Sequence, residues 1–507
     1  MDDPEATRKT RITIADAKGN SGAIIDTYSG CAQAASDHVL TQLQQELEGD
    51  GPNDETHVFV IDVSGAYAKA KPAVEHLRRD PKTGIASGRA LYARVPPWMA
   101  KYGPFPTHDD QGRPNLILIP SAMPGRRESG RWWEIVYHRF LIRWGFTQGV
   151  WDLCCFYILR NGALLIITIH VDDTRGMSTH KWLKDAFLAA WRIEFDEEPD
   201  ASEALDNFTG LSHVRKGNRT EVSCQKVTAN LAALLAAHPF PKGMSCAFPL
   251  GSDALRRLEA EPSAENPLVV WNLEEGCRML GTGAFITNHT YPTGSFAFGT
   301  LARYTNESKL TKNVWLELLR FAHHLVSVSH IPLVFTKIGE GGRLEAWADS
   351  SMASPEPHSR SPGGYLIRLG HPDGRGSAPL TVSSQLPRKT MSSTGAAELE
   401  QLARATKAVI GFRIFFRELM QSHLVLGPTP IFTDAQAVLD GTHCRRVSRE
   451  SKWVCINLAL IRQATEDGTI IAVKCPTADN IADALTKPLT GPHFLKAQRM
   501  LQGLPPI

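Results

Sequence analysis

Two apolar runs in the first half of the chain end on acid. Val58-Phe59-Val60-Ile61 leads into Asp62, and Leu164-Leu165-Ile166-Ile167-Thr168-Ile169-His170-Val171 leads into Asp172-Asp173. Both are rich in β-branched residues, and their unbroken apolar character predicts central strands covered on both faces. Gly339-Glu340-Gly341-Gly342 reads as a linker. Beyond it, Leu344 to Ala348 predicts a strand ending on Asp349, and Gly364 to Leu369 with Leu380 to Ser384 a hairpin pair. Ala396 to Met420 predicts a helix with Leu399, Leu402, Ala405, Val409, Phe412 and Phe416 on one stripe. Thr429 to Thr433 predicts a strand ending on Asp434, Ser448 to Thr465 a helix opening on a serine cap, and Thr469 to Cys475 a strand, with Asp483 beyond it. The order is βββαβαβ, a mixed α/β layer.

The placement of the acids suggests chemistry. A carboxylate at the end of an apolar strand is costly to desolvate unless it is paired or bound to a cation, so Asp62, Asp172 and Asp173 make a candidate oxygen-ligand site for Mg²⁺. Asp349, Glu398, Asp434 and Asp483 make a second. Four acids with no His or Cys pair nearby favour hard cations and phosphodiester hydrolysis over zinc chemistry. The plainer reading of each acid is a turn opener, or for Glu398 a partner of the helix dipole. A third feature is the stretch from Arg113 to Phe146, where Arg113, Arg126, Arg127, Arg131, Arg139 and Arg143 alternate with Trp132, Trp133, Tyr137, Phe140, Trp144 and Phe146. It fits a surface that holds phosphates and stacks bases, but the aromatics fit better an amphipathic helix whose Trp133, Tyr137, Phe140 and Trp144 form a core stripe, the arginines keeping their electrostatic role under either reading.

Composition narrows the classes. At 507 residues, 42% hydrophobic and 21% charged, the chain is globular and long enough for two or three units. The net charge of +2 argues against a whole surface that traps nucleic acid. It is unevenly spread: residues 341 to 507 hold 19 Lys and Arg against 14 Asp and Glu, leaving 36 against 39 before them. Nine cysteines with no Cys-x-x-Cys pair give no zinc or redox motif and fit a reducing compartment. No apolar run approaches the ~20 residues of a membrane span, and the acidic start lacks a signal-peptide pattern, so a soluble, unexported chain is expected. No phosphate-binding Gly-x-x-x-x-Gly-Lys loop or Gly-x-Ser-x-Gly elbow occurs, and His323-His324 fits a helical, aromatic setting.

A resemblance sharpens these readings. Thr27-Tyr28-Ser29-Gly30-Cys31-Ala32, Asp62-Val63-Ser64-Gly65-Ala66-Tyr67, Gly125-Arg126-Arg127-Glu128-Ser129-Gly130-Arg131 and His170-Val171-Asp172-Asp173 follow one another. Asn207-Phe208-Thr209-Gly210-Leu211, Ser223-Cys224-Gln225-Lys226 and Tyr291-Pro292-Thr293 come next. Ala348-Asp349-Ser350, Ser359 to Tyr365, Ala397-Glu398-Leu399, Thr433-Asp434-Ala435 and Asn480 to Lys487 complete the series. Together these motifs resemble the reverse transcriptase and RNase H region of copia-type LTR retrotransposon polyproteins, from about Lys9 to Pro492. Three positions depart from the family pattern. Glu128 replaces a glutamine, His170 a tyrosine, and Trp453, after Lys452, a histidine.

The resemblance implies a right-hand polymerase, α+β, followed by an RNase H-like βββαβαβ domain. Fingers and palm are expected over 1–235, thumb and connection over 236–340, the RNase H domain over 341–495 and a tail over 496–507. Missing protease and integrase segments imply a fragment or a separately encoded piece. The implied activity is RNA-directed DNA synthesis joined to degradation of the RNA strand of RNA–DNA hybrids. Asp62, Asp172 and Asp173 would hold one pair of Mg²⁺ ions and Asp349, Glu398, Asp434 and Asp483 another, with Mn²⁺ as an alternative. Tyr67 would exclude a ribose 2′-hydroxyl, while Arg126, Arg127 and Glu128 would lie against the incoming nucleotide and Lys9 and Arg11 against its triphosphate. Implied partners are an RNA template, a DNA primer, the hybrid and deoxynucleoside triphosphates, in cytoplasmic retrotransposon particles and without a membrane. Glu128 and His170 motivate a rival, a nuclease whose polymerase half only binds. A domesticated nucleic-acid-binding protein is the non-enzymatic rival.

Overall fold

The computed structural model describes residues 31–49, 55–63, 66–70, 91–94, 106–119, 129–196, 198, 200–202, 208–351, 360–387, 390–391, 393–443 and 455–505. The chain divides into two compact units: Met1–Ala32, His57–Gln148 and Leu153–Glu203 form one, and Gln33–Thr56, Gly149–Asp152 and Ala204–Ile507 the other. Helix α1 (Ala34–Glu46), inside the range expected for fingers and palm, therefore groups with the second unit.

The first unit contains β1 (His57–Asp62), α2 (Ala66–Lys69), β2 (Leu91–Arg94), β3 (Leu116–Ile119), α3 (Ser129–Trp144), β4 (Thr147–Gln148), β5 (Cys155–Arg160), β6 (Ala163–His170), β7 (Asp173–Ser178), α4 (Lys181–Phe195) and β8 (Asp200–Ser202). Six strands make one sheet in the order β4-β5-β6-β7-β1-β8, each neighbour pair antiparallel. Every side chain from Ala163 to Ile169 is buried, which is why β6 reads as an uninterrupted apolar run. Helices α3 and α4 share the sheet's core through Trp133, Tyr137, Phe140, Leu183, Phe187 and Trp191. Trp133, Tyr137 and Phe140 of α3 thus form a core stripe, with Trp132 and Trp144 partly buried against it. The neighbouring cations are also engaged, as Arg113 pairs with Asp109, Arg131 with Glu134 and Arg143 with Glu194.

The second unit continues with β9 (Ser212–Lys216), β10 (Arg219–Ser223), α5 (Gln225–Leu235), α6 (Ala254–Leu258), α7 (Leu273–His289), α8 (Ser295–Leu301), α9 (Lys312–Ser327) and β11 (Leu333–Thr336). It ends with β12 (Arg343–Ser350), β13 (Gly363–Gly370), β14 (Gly376–Gln385), α10 (Thr394–Glu418), β15 (Thr429–Thr433), α11 (Gln436–His443), α12 (Cys455–Glu466), β16 (Ile470–Lys474) and α13 (Gly491–Leu501). Its five-stranded sheet has the order β14-β13-β12-β15-β16, with β12 to β14 antiparallel and β12, β15 and β16 parallel. With α10 between β14 and β15, this is the expected βββαβαβ, an RNase H-like topology. Helix α11 is an addition that the apolar pattern did not predict. The predicted Ser448 cap lies outside the described residues, and α12 is described over Cys455–Glu466.

Helix α10 covers one sheet face, and Ser393 caps it by accepting from the Ala396 N–H. The other face is covered by the segment after β16 and by α13, which bury Ile481, Ala482, Leu485, Ala497 and Leu501 beside Trp347 and Leu366. The expected tail 496–507 is therefore largely structural, since residues 496–501 close α13 and two of them fill this core. A three-stranded sheet, β11-β10-β9, lies elsewhere in the same unit. Helix α1 is buried along most of its length although much of it is polar. Gln42 donates to the Thr336 carbonyl, Gln45 to the Thr220 hydroxyl, and both His38 ring nitrogens face carbonyls, of Leu380 and His289. No helix among the described residues is long and apolar enough to cross a membrane.

Candidate active site

In the first unit the three predicted acids lie at one end of the sheet. Asp62 closes β1 directly opposite Asp173, the first residue of β7. The β6–β7 hairpin turns on only Val171 and Asp172, because His170 pairs with Asp173. Val171 takes a φ of +61°, a conformation that costs a β-branched side chain on the order of 1–3 kcal/mol. The turn is held from below, where the Trp133 indole donates to the Val171 carbonyl at 2.8 Å and the Thr174 hydroxyl donates to Tyr137 at 2.9 Å. Core aromatics thus fix the backbone that carries Asp172 and Asp173. Burial, then the charges of Asp172 and Asp62, push Asp173 up to about 6. Asp62 itself is exposed, and Tyr67 on α2 packs partly buried against the core.

The second unit gathers its acids more tightly. Asp349 is the penultimate residue of β12, Asp434 follows β15 and Asp483 lies in the 3₁₀ turn Ile481–Leu485. Parallel pairing of β12 with β15 and the return of the chain after β16 bring these distant positions together. One carboxylate oxygen from each lies within 4.8 Å of the others, a convergence that no other acidic, His or Cys group reaches among the described residues. Glu398, in the second turn of α10, is buried and stands beside them, with one carboxylate oxygen left without a partner. Burial followed by repulsion from Asp483 raises Asp349 to about 7, against the pull of Lys487 and Thr486. Burial, then Asp349 and Asp434, raises Glu398 to about 8, although the Ser350 N–H donates to it.

Crowded, desolvated carboxylates with raised pKa values and an unpartnered oxygen form a hard-oxygen donor set suited to a divalent cation. The same carboxylates also face three donors from one short segment. Thr486 donates to Asp349. The Asn480 amide nitrogen lies 3.4 Å from Asp349 and 3.3 Å from Asp434. The Lys487 ammonium lies 2.9 Å from Asp483 and 3.6 Å from Asp349. Burial works against the Lys487 charge, but Asp349 and Asp483 outweigh it and raise its pKa. Sequence reasoning quoted the Asn480 to Lys487 motif but assigned a role only to Asp483, although the same motif carries all three of these residues. Of the remaining predicted positions, Lys9, Arg11, Arg126, Arg127, Glu128, Lys452 and Trp453 lie outside the described residues.

No family model matches the chain. It is 23% identical over 398 residues to the retrovirus-related Pol polyprotein from transposon RE2 of Arabidopsis thaliana, covering 77% of this chain and 25% of that protein. It is 22% identical over 389 residues to the corresponding polyprotein from transposon RE1, covering 76% and 25%. The chain thus spans about a quarter of the length of these homologues, which are retrotransposon Pol polyproteins as the spaced motifs imply. Among solved structures, a foamy viral protease-reverse transcriptase in complex with double-stranded DNA aligns over 86% of this chain and 59% of its own, at 12% identity and a TM-score of 0.41. LC11-RNase H1 in complex with an RNA/DNA hybrid aligns over 28% of this chain and 93% of its own, at 18% identity and a TM-score of 0.22. The RNase H-like assignment of the second sheet rests on its strand order.

Proposed function

We propose that this chain, a homologue of retrotransposon Pol polyproteins, is the reverse transcriptase and RNase H portion of a copia-type element. In this reading it extends a DNA primer on an RNA template and cuts the RNA strand of the resulting hybrid. The observation that carries the reading is the convergence of Asp349, Asp434 and Asp483 within 4.8 Å, beside buried Glu398.

Asp349, Glu398, Asp434 and Asp483 would hold divalent cations in the second unit, and Asp62, Asp172 and Asp173 in the first, with Mg²⁺ the proposed ion at both. When bound, such ions supply activation of an attacking oxygen and stabilisation of a leaving oxygen. The chain's own groups do the positioning. Asn480 and Thr486 orient Asp349 and Asp434 so that their oxygens face one point. Trp133 fixes the Val171 carbonyl and with it the turn that presents Asp172 and Asp173. Tyr67 would exclude the ribose 2′-hydroxyl of an incoming nucleotide, and contact with that hydroxyl would separate RNA from DNA at the cleavage site. Arg126, Arg127, Lys9 and Arg11 would face the nucleotide and its triphosphate. The expected setting is a retrotransposon particle.

A second reading, a nuclease whose polymerase half only binds nucleic acid, draws on the looser first site, where Asp62 is exposed and the three acids do not converge to 4.8 Å. Primer extension and hybrid cleavage, run on the same preparation, distinguish the two. Asp434→Asn is expected to lose cleavage by at least about a hundredfold while keeping extension, and Asp172→Asn the reverse. Cleavage without any extension would select the second reading, and cleavage that survives Asp434→Asn would overturn the site assignment.

A further inference from the structure

Lys487 differs from the other two donors around the acids because it brings a full positive charge. It lies one helical turn after Asp483, and its own N–H donates to the Asp483 carbonyl at 3.1 Å. Its ammonium bridges Asp483 and Asp349, two of the three carboxylates whose oxygens converge. Asp349 keeps 1% of its side-chain surface and Asp483 17%, so water screens this cluster poorly. Without a cation at that point, carboxylates this close repel one another and splay or take up protons. Asn480 and Thr486 are neutral and lie compatibly beside a bound ion. An ammonium within 2.9 Å of one ligand and 3.6 Å of another contends for the same charge.

We infer that Lys487 is the resident counter-cation of the metal-free site: it holds Asp349 and Asp483 together between loading events, and a divalent ion must displace it to bind. Lys487 thereby sets the concentration of divalent ion at which the site fills. This inference rests on the proposed metal-binding role of the acids and adds a residue that regulates loading. Replacing Lys487 by an uncharged side chain should do two opposite things. The metal-free unit should become less stable, and affinity for the ion should rise. Damage to the site's architecture would lower both, so a rise in affinity separates competition from a merely structural role. Because the Lys487 side chain keeps 35% exposure, screening reduces the effect, and a change on the order of tenfold in dissociation constant is expected.

The test uses Mn²⁺ as the spin-active ion and the full chain. Binding is measured by electron paramagnetic resonance on the wild type, Asp349→Asn, Lys487→Met and Lys487→Arg, each in the Asp172→Asn background so that the first unit contributes less. The wild type should bind, and Asp349→Asn should lose this site. Lys487→Met should bind about tenfold more tightly, and Lys487→Arg should stay near the wild type. In the wild type, acetylation of Lys487 followed by mass spectrometry should rise severalfold when Mn²⁺ is added, a readout that needs no variant to fold. If the wild type binds no ion that Asp349→Asn removes, the metal-site reading fails. If it does bind, but Lys487→Met binds equally or more weakly, or Lys487 labelling is unchanged by Mn²⁺, the counter-cation role is overturned while the site stands.

Discussion

Asp349→Asn should make the metal-free protein more stable at pH 8 while removing the second unit's response to metal. Asp349 is almost wholly buried, and burial with the neighbouring Asp483 charge places its pKa at about 7 against the ordinary 3.8. Between those values the native protein holds the proton more tightly than the unfolded chain. Stability is therefore lost as pH rises from about 4 to about 7, and the full penalty is present above that window. Roughly three pH units at ~1.4 kcal/mol each come to ~4 kcal/mol. Asparagine keeps an acceptor oxygen for Thr486 but gives up the charge that Lys487 faces, which returns a part of that gain. A net stabilisation of about 1–3 kcal/mol at pH 8 is expected, shrinking toward zero near pH 5. Urea denaturation in EDTA at the two pH values measures it, and repeating the series in Mg²⁺, with Asp172→Asn present in both proteins to weaken the first site, should stabilise the Asp349 protein more than the variant. A variant less stable than the wild type in EDTA at pH 8 would refute the electrostatic account of this cluster.

Two further outcomes test the packing under the first site. A Cβ on Gly176 would meet the Phe59 ring at 2.1 Å, directly across the β1–β7 pair, so Gly176→Ala should cost about 2–3 kcal/mol in chemical denaturation; an unchanged midpoint would mean that the ring does not cover this glycine. Trp133→Phe keeps most of the apolar volume but withdraws the donor from the Val171 carbonyl. It should cost about 1–2 kcal/mol and reduce primer extension while leaving hybrid cleavage intact, and an equal loss of both activities would point to general unfolding.

Much of this fold was legible because its signals are local. The β6 run is apolar throughout because both faces of that strand are covered, and the stripe from Leu399 to Phe416 marks α10 within a few residues of its observed bounds. The α1 helix was not legible in the same way. Ser36, Asp37, His38, Gln42 and Gln45 are all buried, and a polar segment of that kind carries no apolar pattern to announce burial. Its side chains go inside because carbonyls and hydroxyls from β10, β11, β14 and the end of α7 accept from or donate to them, and these partners are hundreds of positions away. The basic, aromatic stretch was ambiguous for a related reason. Spacing alone fits either a core stripe or a stacking surface, and the choice fell to α4 and the sheet, which bury Trp133, Tyr137 and Phe140.

Sequence by itself determined which residues could carry charge at the ends of buried strands, since strand ends follow from the apolar pattern and an acid beside such a run needs a cation or a partner. Tertiary structure decided which of those acids meet. Asp349, Asp434 and Asp483 span 135 positions, and only the parallel β12–β15–β16 pairing and the return of the chain beneath β12 place their oxygens within 4.8 Å. It also decided their electrostatics, because pKa depends on burial and on neighbouring charge, and neither is a property of a residue type. The Lys487 ammonium makes the same point: its spacing from Asp483 is written in the chain, but its reach to Asp349 exists only once the sheet has formed.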